Sequence, residues 1–144
     1  MLHENEQIVR RLIEEGFNQS NLDVVDSITS PELVEHQAFG PNHAAGAQGV
    51  RDVIASLHAA FGGFHLAIED LVVSGDSVWL RMVATGTHTG TFMGHAATNR
   101  PMRTDVFDVI RLEDGRMVEH WGVPDRLGVL LQLGLVAPPA AVAA

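Results

Sequence analysis

The chain contains no cysteine, and that one absence removes disulfides, thiol nucleophiles, iron–sulfur ligation and thiolate zinc sites together. It also lacks any apolar run approaching the roughly 18 to 20 residues that a bilayer demands. Basic residues are scarce. Nine face eighteen acidic ones, a formal charge of −9, and no local basic stripe offsets it. Such a surface repels nucleic-acid phosphate. The opening residues, MLHENEQIVRR, carry acids and helix formers in place of an apolar leader, so a cytoplasmic protein is the expectation. Gly90 and Gly94 have neither the lysine nor the strand-to-helix context of a phosphate loop. What remains is a protein that handles a small molecule or another protein.

A length of 144 residues fits one domain with a real core. Ile8, Val9, Leu12, Ile13 and Phe17 recur at helical spacing and predict a helix over about residues 4 to 17. A short second helix runs through Leu22, Val25 and Ile28 with Asn21 as its N-cap, and Ser30-Pro31 closes it. Residues 35 to 46 read as a loop over a pocket mouth. Val50, Val53, Ile54, Leu57 and Phe61 mark a third helix that ends at Gly62-Gly63. From Phe64 the period turns to two, predicting strands near 64 to 73, 77 to 88, 103 to 112 and 116 to 123. A last helix follows Pro124, capped by Asp125, and residues 136 to 144 form an apolar tail of low complexity outside a domain of residues 1 to 135. Helices ahead of an antiparallel sheet define an α+β class.

The final hairpin carries the most chemistry. A three-residue turn at Glu113-Asp114-Gly115 pairs Leu112 with Arg116, and register then sets Asp108 opposite His120, Ile110 opposite Val118 and Val106 opposite Gly122. A two-residue turn would break this assignment, because one step of slippage changes every partner. On the preceding strand Val78, Leu80, Met82, Ala84 and His88 share the apolar, concave side. Trp79, Phe107 and Trp121 share the other, a convex face aromatic enough to predict a homodimer.

A carboxylate held against an imidazole suits general acid–base catalysis: the acid fixes the tautomer and the free nitrogen moves a proton. The same pair also serves as a plain hydrogen bond between strands. Asp108 and His120 are the candidate catalytic residues. His88, His36, Met82, Phe92, Val106, Val118 and Gly122 are the candidate substrate contacts, His36 reaching in from the mouth loop. His36, His43, His65, His88 and His95 lack the spacings of a metal site, so no metal is expected.

Gly86-Thr87-His88-Thr89-Gly90, the stretch from Asp105 to Trp121 (DVFDVIRLEDGRMVEHW), and Pro124-Asp-Arg-Leu-Gly128 followed by Gln132-Leu-Gly134 resemble the SnoaL-like polyketide cyclase family. That family belongs to the superfamily of ketosteroid isomerase and nuclear transport factor 2. The resemblance covers about residues 5 to 135. It implies a cone-shaped NTF2-like fold, a curved antiparallel sheet whose N-terminal helices enclose an apolar pocket, and usually a homo-oligomer. It further implies ring closure by intramolecular aldol condensation without cofactor, an aspartate moving the proton beside a histidine. By position the aspartate's place falls on Gly122 and the partner histidine's on Asp108, while His120 and His88 match histidines of the motif. The expectation is therefore a cofactor-independent cyclase or isomerase acting on an apolar oxygenated ring compound, with Asp108 taking over from the missing acid. Epoxide hydrolases, dehydratases and non-catalytic binding proteins of the same superfamily are the alternatives.

Overall fold

The computed structural model describes residues 3–37 and 39–141. Helix α1 (Glu4–Arg11) runs directly into a π-helical segment, Leu12–Asn18. After it come α2 (Leu22–Ile28), β1 (Thr29–Glu35), α3 (Gly46–Ala60), β2 (Phe61–Ser74), β3 (Ser77–His88), β4 (Pro101–Glu113), β5 (Arg116–Pro124) and α4 (Arg126–Gln132). The five strands form one curved, unclosed sheet in the order β1-β5-β4-β3-β2. The last four are an antiparallel meander, and β1 joins the edge beside β5 in parallel. No helix among the described residues is long and apolar enough to cross a membrane.

Several boundaries differ from the sequence reading. The first helix loosens into π turns after Arg11, where Gly16 packs against Val25 so closely that a Cβ would lie 3.1 Å from Cγ2. Helix α3 begins earlier and ends at Ala60, with Phe61 already the first residue of β2. Strand β1 was absent from the sequence reading altogether. Pro31 stands inside it, which is tolerated because β1 is an edge strand. The loop expected over 35 to 46 therefore shrinks at its start by Glu35, and Ala38 within it lies outside the described residues. So do Val142, Ala143 and Ala144 of the expected tail.

The core lies on the concave side. Val78, Leu80, Met82 and Ala84 of β3 are buried there against Val9, Leu12 and Ile13 of the first helix and Val50 and Ile54 of α3. Bulges between Gly62 and His65 and between Ile68 and Asp70 bend β2 around this core. Asp125 caps α4, its carboxylate accepting the Gly128 N–H at 2.9 Å.

The hairpin register needs a correction. Asp114 and Gly115 both have positive φ, 49° and 76°, so the turn is the two-residue type in which Glu113 pairs with Arg116. Alone, that turn would put every later residue of β5 on the wrong face. A bulge at Val118 undoes the slip: Leu112 pairs with Met117 but Arg111 pairs with Glu119. From there Ile110 faces His120 and Asp108 faces Gly122, two residues away from the expected register but of the same parity. Met117, expected outside, is buried in the core opposite Leu112, where Arg116 was expected, and His120 takes the place expected for Val118 opposite Ile110.

Asn18 ties the π segment to the sheet. Its amide donates to the Leu66 carbonyl at 2.9 Å, and its Oδ1 accepts the Leu66 N–H at 2.8 Å. Asn18→Ala leaves both backbone groups unpaired in a half-buried setting, so urea denaturation should register a loss of about 2 kcal/mol. An unchanged midpoint would mean that water replaces both bonds at no cost.

Candidate active site

Three neighbouring strands each bring one ionisable side chain to the concave face. Glu35 ends β1, His120 lies in the middle of β5 as its direct register partner, and Asp108 sits on β4 one pair further along. Glu35 holds the imidazole at Nδ1, with Oε1 at 2.7 Å and Oε2 at 2.9 Å. Asp108 meets the other nitrogen, Oδ2 lying 3.3 Å from Nε2. Glu35 Oε1 also accepts the Gln37 backbone N–H at 2.9 Å. Burial lowers the imidazole's proton affinity, but the hydrogen bonds and charges of Asp108 and Glu35 outweigh it and lift the pKa from 6.5 to about 9.

The sequence reading brought Asp108 and His120 together as a direct cross-strand pair. They do meet, but diagonally, because the bulge has shifted the register by two. Asp108 pairs directly with Gly122 instead. A Cβ added to Gly122 would lie 2.8 Å from Asp108 Oδ1, 2.9 Å from His120 Cε1 and 2.2 Å from Gln37 Oε1. Asp108 and Gln37 thus occupy the volume that a side chain at 122 would enter, and such a side chain would have to displace the Gln37 amide and crowd Asp108 and His120.

Asp108 and His120 stand on the wall of a cavity of about 800 Å³ between the sheet, the π segment, α3 and α4. Met82, Phe92 and Val106 line it, alongside Phe17, Leu57, Phe64 and Met102. The polar groups on its wall include Gln37, His43, Asp52, Thr104 and Arg126. A second cavity of about 40 Å³ lies beside the pair, lined by Glu35, His43, Asp108 and His120 among apolar neighbours.

Four expected substrate contacts are not on the cavity wall: Gly122, whose side-chain space Asp108 and Gln37 occupy, and three that lie elsewhere. His36 follows β1 onto the outer face of the sheet, stacked on Trp121 with ring centroids 4.6 Å apart and bonded through Nε2 to Glu119 at 2.8 Å. That bond, reinforced by Arg111, holds the Glu119 carboxyl below its ordinary range. Val118 is the bulge residue and does not line the cavity. His88 is fully buried beneath Phe61 and Phe92. Its Nδ1 accepts the Thr98 N–H at 3.2 Å, which leaves the ring proton on Nε2, a buried donor without a partner among the described residues. It pins the 89–100 loop and is screened from the cavity by the phenyl rings. Among the described residues no group of three His, Asp or Glu side chains is arranged to hold a metal ion.

The loop-like composition of residues 35 to 46 hides Glu35 and Gln37 from sequence pattern. The available signal was Leu33-Val34 just past Pro31, a short β-prone run of the kind an edge strand permits.

A helix-backed, curved sheet enclosing an apolar cavity with an acid–base cluster on its wall defines a pocket protein of the NTF2-like class. The sequence profile of the SnoaL-like polyketide cyclases matches residues 7–133, and the chain belongs to that family. It is 28% identical over 130 residues to the aklanonic acid methyl ester cyclase DnrD of Streptomyces peucetius, spanning 88% of each chain. TsrD from Streptomyces laurentii superposes with a TM-score of 0.84 at 27% identity, covering 94% of this chain and 100% of that one. IdmH from Streptomyces antibioticus gives a TM-score of 0.79 at 33% identity over 92% and 99%.

A histidine whose pKa rises on folding contributes stability that is complete below its unfolded value, 6.5, and is lost as pH climbs through about 9. The chain has no cysteine, tyrosine or lysine, so no side chain other than an imidazole has its ordinary pKa in that alkaline window. Urea denaturation should therefore lose up to about 3 kcal/mol between about pH 6.5 and pH 10, and His120→Gln should remove most of that slope. A wild-type stability that is flat across the window would contradict the raised pKa.

Proposed function

We propose that this chain is a cofactor-independent cyclase of the polyketide type, acting by proton transfer next to a carbonyl on an apolar, oxygenated ring compound. The observation that carries this reading is Asp108 itself. One oxygen is bound to His120, while the other, Oδ1, is buried, has no hydrogen-bond partner among the described residues and belongs to a side chain on the wall of the 800 Å³ cavity. A carboxylate in that position is within the design of a general base.

In this scheme Asp108 takes a proton from the carbon beside a carbonyl, and the released electron pair becomes an enolate. The enolate carbon attacks a second carbonyl to close the ring, and Asp108 returns its proton to the new alkoxide. Gln37, packed beside Asp108 against Gly122, offers an amide donor to the enolate oxygen. The apolar wall of Met82, Phe92 and Val106 holds the rings. A covalent iminium route needs a lysine amine, and the chain contains no lysine.

Aklanonic acid methyl ester, named for the relative DnrD, is the first substrate to try. Asp108→Asn keeps the shape and removes the base, so turnover should fall on the order of 10²-fold or more with the fold intact. Equal turnover by the variant would remove Asp108 from the chemistry. A second reading, epoxide opening by an activated water, draws on the 40 Å³ cavity beside the pair, large enough for one water molecule. It would be favoured if the ester is inert and a cyclic alkene oxide is hydrolysed in a way that needs Asp108. Ester binding without turnover would mark a non-catalytic carrier.

We also propose a homodimer through the outer face of the sheet. Trp79 and Phe107 are 56% and 55% exposed there, flanked by Val72, Val123 and Trp121. Aromatic surface of this density is typical of interface centres. Light scattering at micromolar concentration should return about twice the monomer mass, and Trp79→Glu should return the monomer. A wild-type monomer would end the idea.

A further inference from the structure

The two carboxylates that flank His120 are not equivalent. Glu35 gives both oxygens to Nδ1 and one of them also to the Gln37 N–H, and it lies at the β1–β5 seam away from the larger cavity. Asp108 spends one oxygen on Nε2 and stands on the cavity wall. With an acceptor on each side, the imidazole is satisfied only when both nitrogens carry a proton. A neutral ring donating to Glu35 would turn the Nε2 lone pair toward the Asp108 carboxylate, acceptor against acceptor. The remaining charged or titratable groups on this space are His43 ahead of α3, Asp52 of α3 and Arg126 of α4, and the other lining residues carry no charge.

We infer that Glu35 is a positioning residue that commits His120 to its doubly protonated form and thereby makes Asp108, not His120, the proton acceptor of the cavity. The inference rests on the acid–base reading proposed above for this site. An imidazolium has no lone pair, so it cannot take the substrate's proton. It can hold Asp108 Oδ2 throughout the cycle. When Oδ1 gains the proton, Oδ2 remains an acceptor for the Nε2 N–H, and when Oδ1 gives the proton back, nothing on His120 has moved. Glu35 supplies the second anchor that keeps the ring cationic and in one orientation, because β1 pairs in parallel with β5 at that residue. The histidine thus acts as a fixed donor beside the base, unlike the histidine of a nucleophilic triad, which shuttles the proton itself.

Nitrogen-15 NMR of the full-length protein reads this directly without a substrate. In the wild type both His120 nitrogens, assigned by their loss in His120→Gln, should be protonated near pH 7.5 and should titrate about two units above an ordinary histidine. Glu35→Gln should lower the titration midpoint by about one unit or more, a tenfold or larger loss of proton affinity. A bare nitrogen on wild-type His120 near pH 7.5, or a midpoint that ignores Glu35→Gln, overturns the inference. Asp108→Asn provides a second arm that leaves Glu35 as the one carboxylate bonded to the ring. The midpoint there should stay above the ordinary 6.5, and a fall to or below it overturns Glu35's role even if Glu35→Gln fails to fold. Because these arms involve no turnover, an inert aklanonic acid methyl ester would count against the proposed function and leave the clamp on His120 standing.

Discussion

The pocket is organised around an imidazole gripped from both sides, and that grip fixes the order of three strands. Glu35 reaches Nδ1 only because β1 lies beside β5, and Asp108 reaches Nε2 only because β4 lies on the other side. Remove β1 from the sheet edge and His120 loses an anchor; shift the β4–β5 register by one and it leaves the concave face altogether. The bulge at Val118 is consequently a structural requirement of the site, since the tight Asp114-Gly115 turn alone would point His120 outward.

A buried cluster of one cation and two anions is a weak source of net stability, because desolvation of three charges offsets much of their attraction. The pH dependence expected from His120 does not contradict this. It measures the charged ring against its own neutral form with the carboxylates in place, which is the worst state of the cluster. On the proposed acid–base reading the cost of burying charge here serves chemistry: an apolar cavity strengthens every interaction inside it and keeps donors and acceptors in fixed orientation. The surrounding core of Val9, Leu12, Ile13, Val78, Leu80 and Ile110 carries the folding free energy that the cluster does not.

Sequence periodicity was enough to place the helices on one side of a meander and to separate the concave wall of β3 from its aromatic outer face. Those are period-2 and period-3.6 signals, and they survive errors of a residue or two. It located Asp108 and His120 on one face by two errors that cancelled: the turn was read one residue too long, and the bulge was not foreseen. Bulges leave little trace in a single sequence, since Arg116-Met117-Val118-Glu119 is as regular a strand pattern as any other. Glu35 was illegible for a different reason. Its function depends on a parallel contact with a strand 85 residues later, and no local pattern encodes a partner at that distance. His36, adjacent in sequence, has the chemistry of a pocket residue, but alternation along an extended chain sends it to the opposite face.

The exchange between positions 108 and 122 follows from the corrected register. In the motif this chain resembles, the acid stands where Gly122 is; here Gly122 and Asp108 are direct partners across the strand pair. Side chains on such a pair project from Cα atoms roughly 5 Å apart toward the same side of the sheet. A carboxylate can therefore move from one strand to the other and still present its oxygen in nearly the same volume, provided that the vacated position gives up its own side chain. The geometry at Gly122 meets that condition, because the space beyond its Cα is already taken by Asp108 Oδ1 and Gln37 Oε1. An aspartate returned to 122 would not add a second base. It would crowd the first, displace Gln37 and set a third carboxylate beside Glu35 and Asp108 on one imidazole. On the proposed reading the missing acid and the glycine are one feature, and Asp108 is its other half.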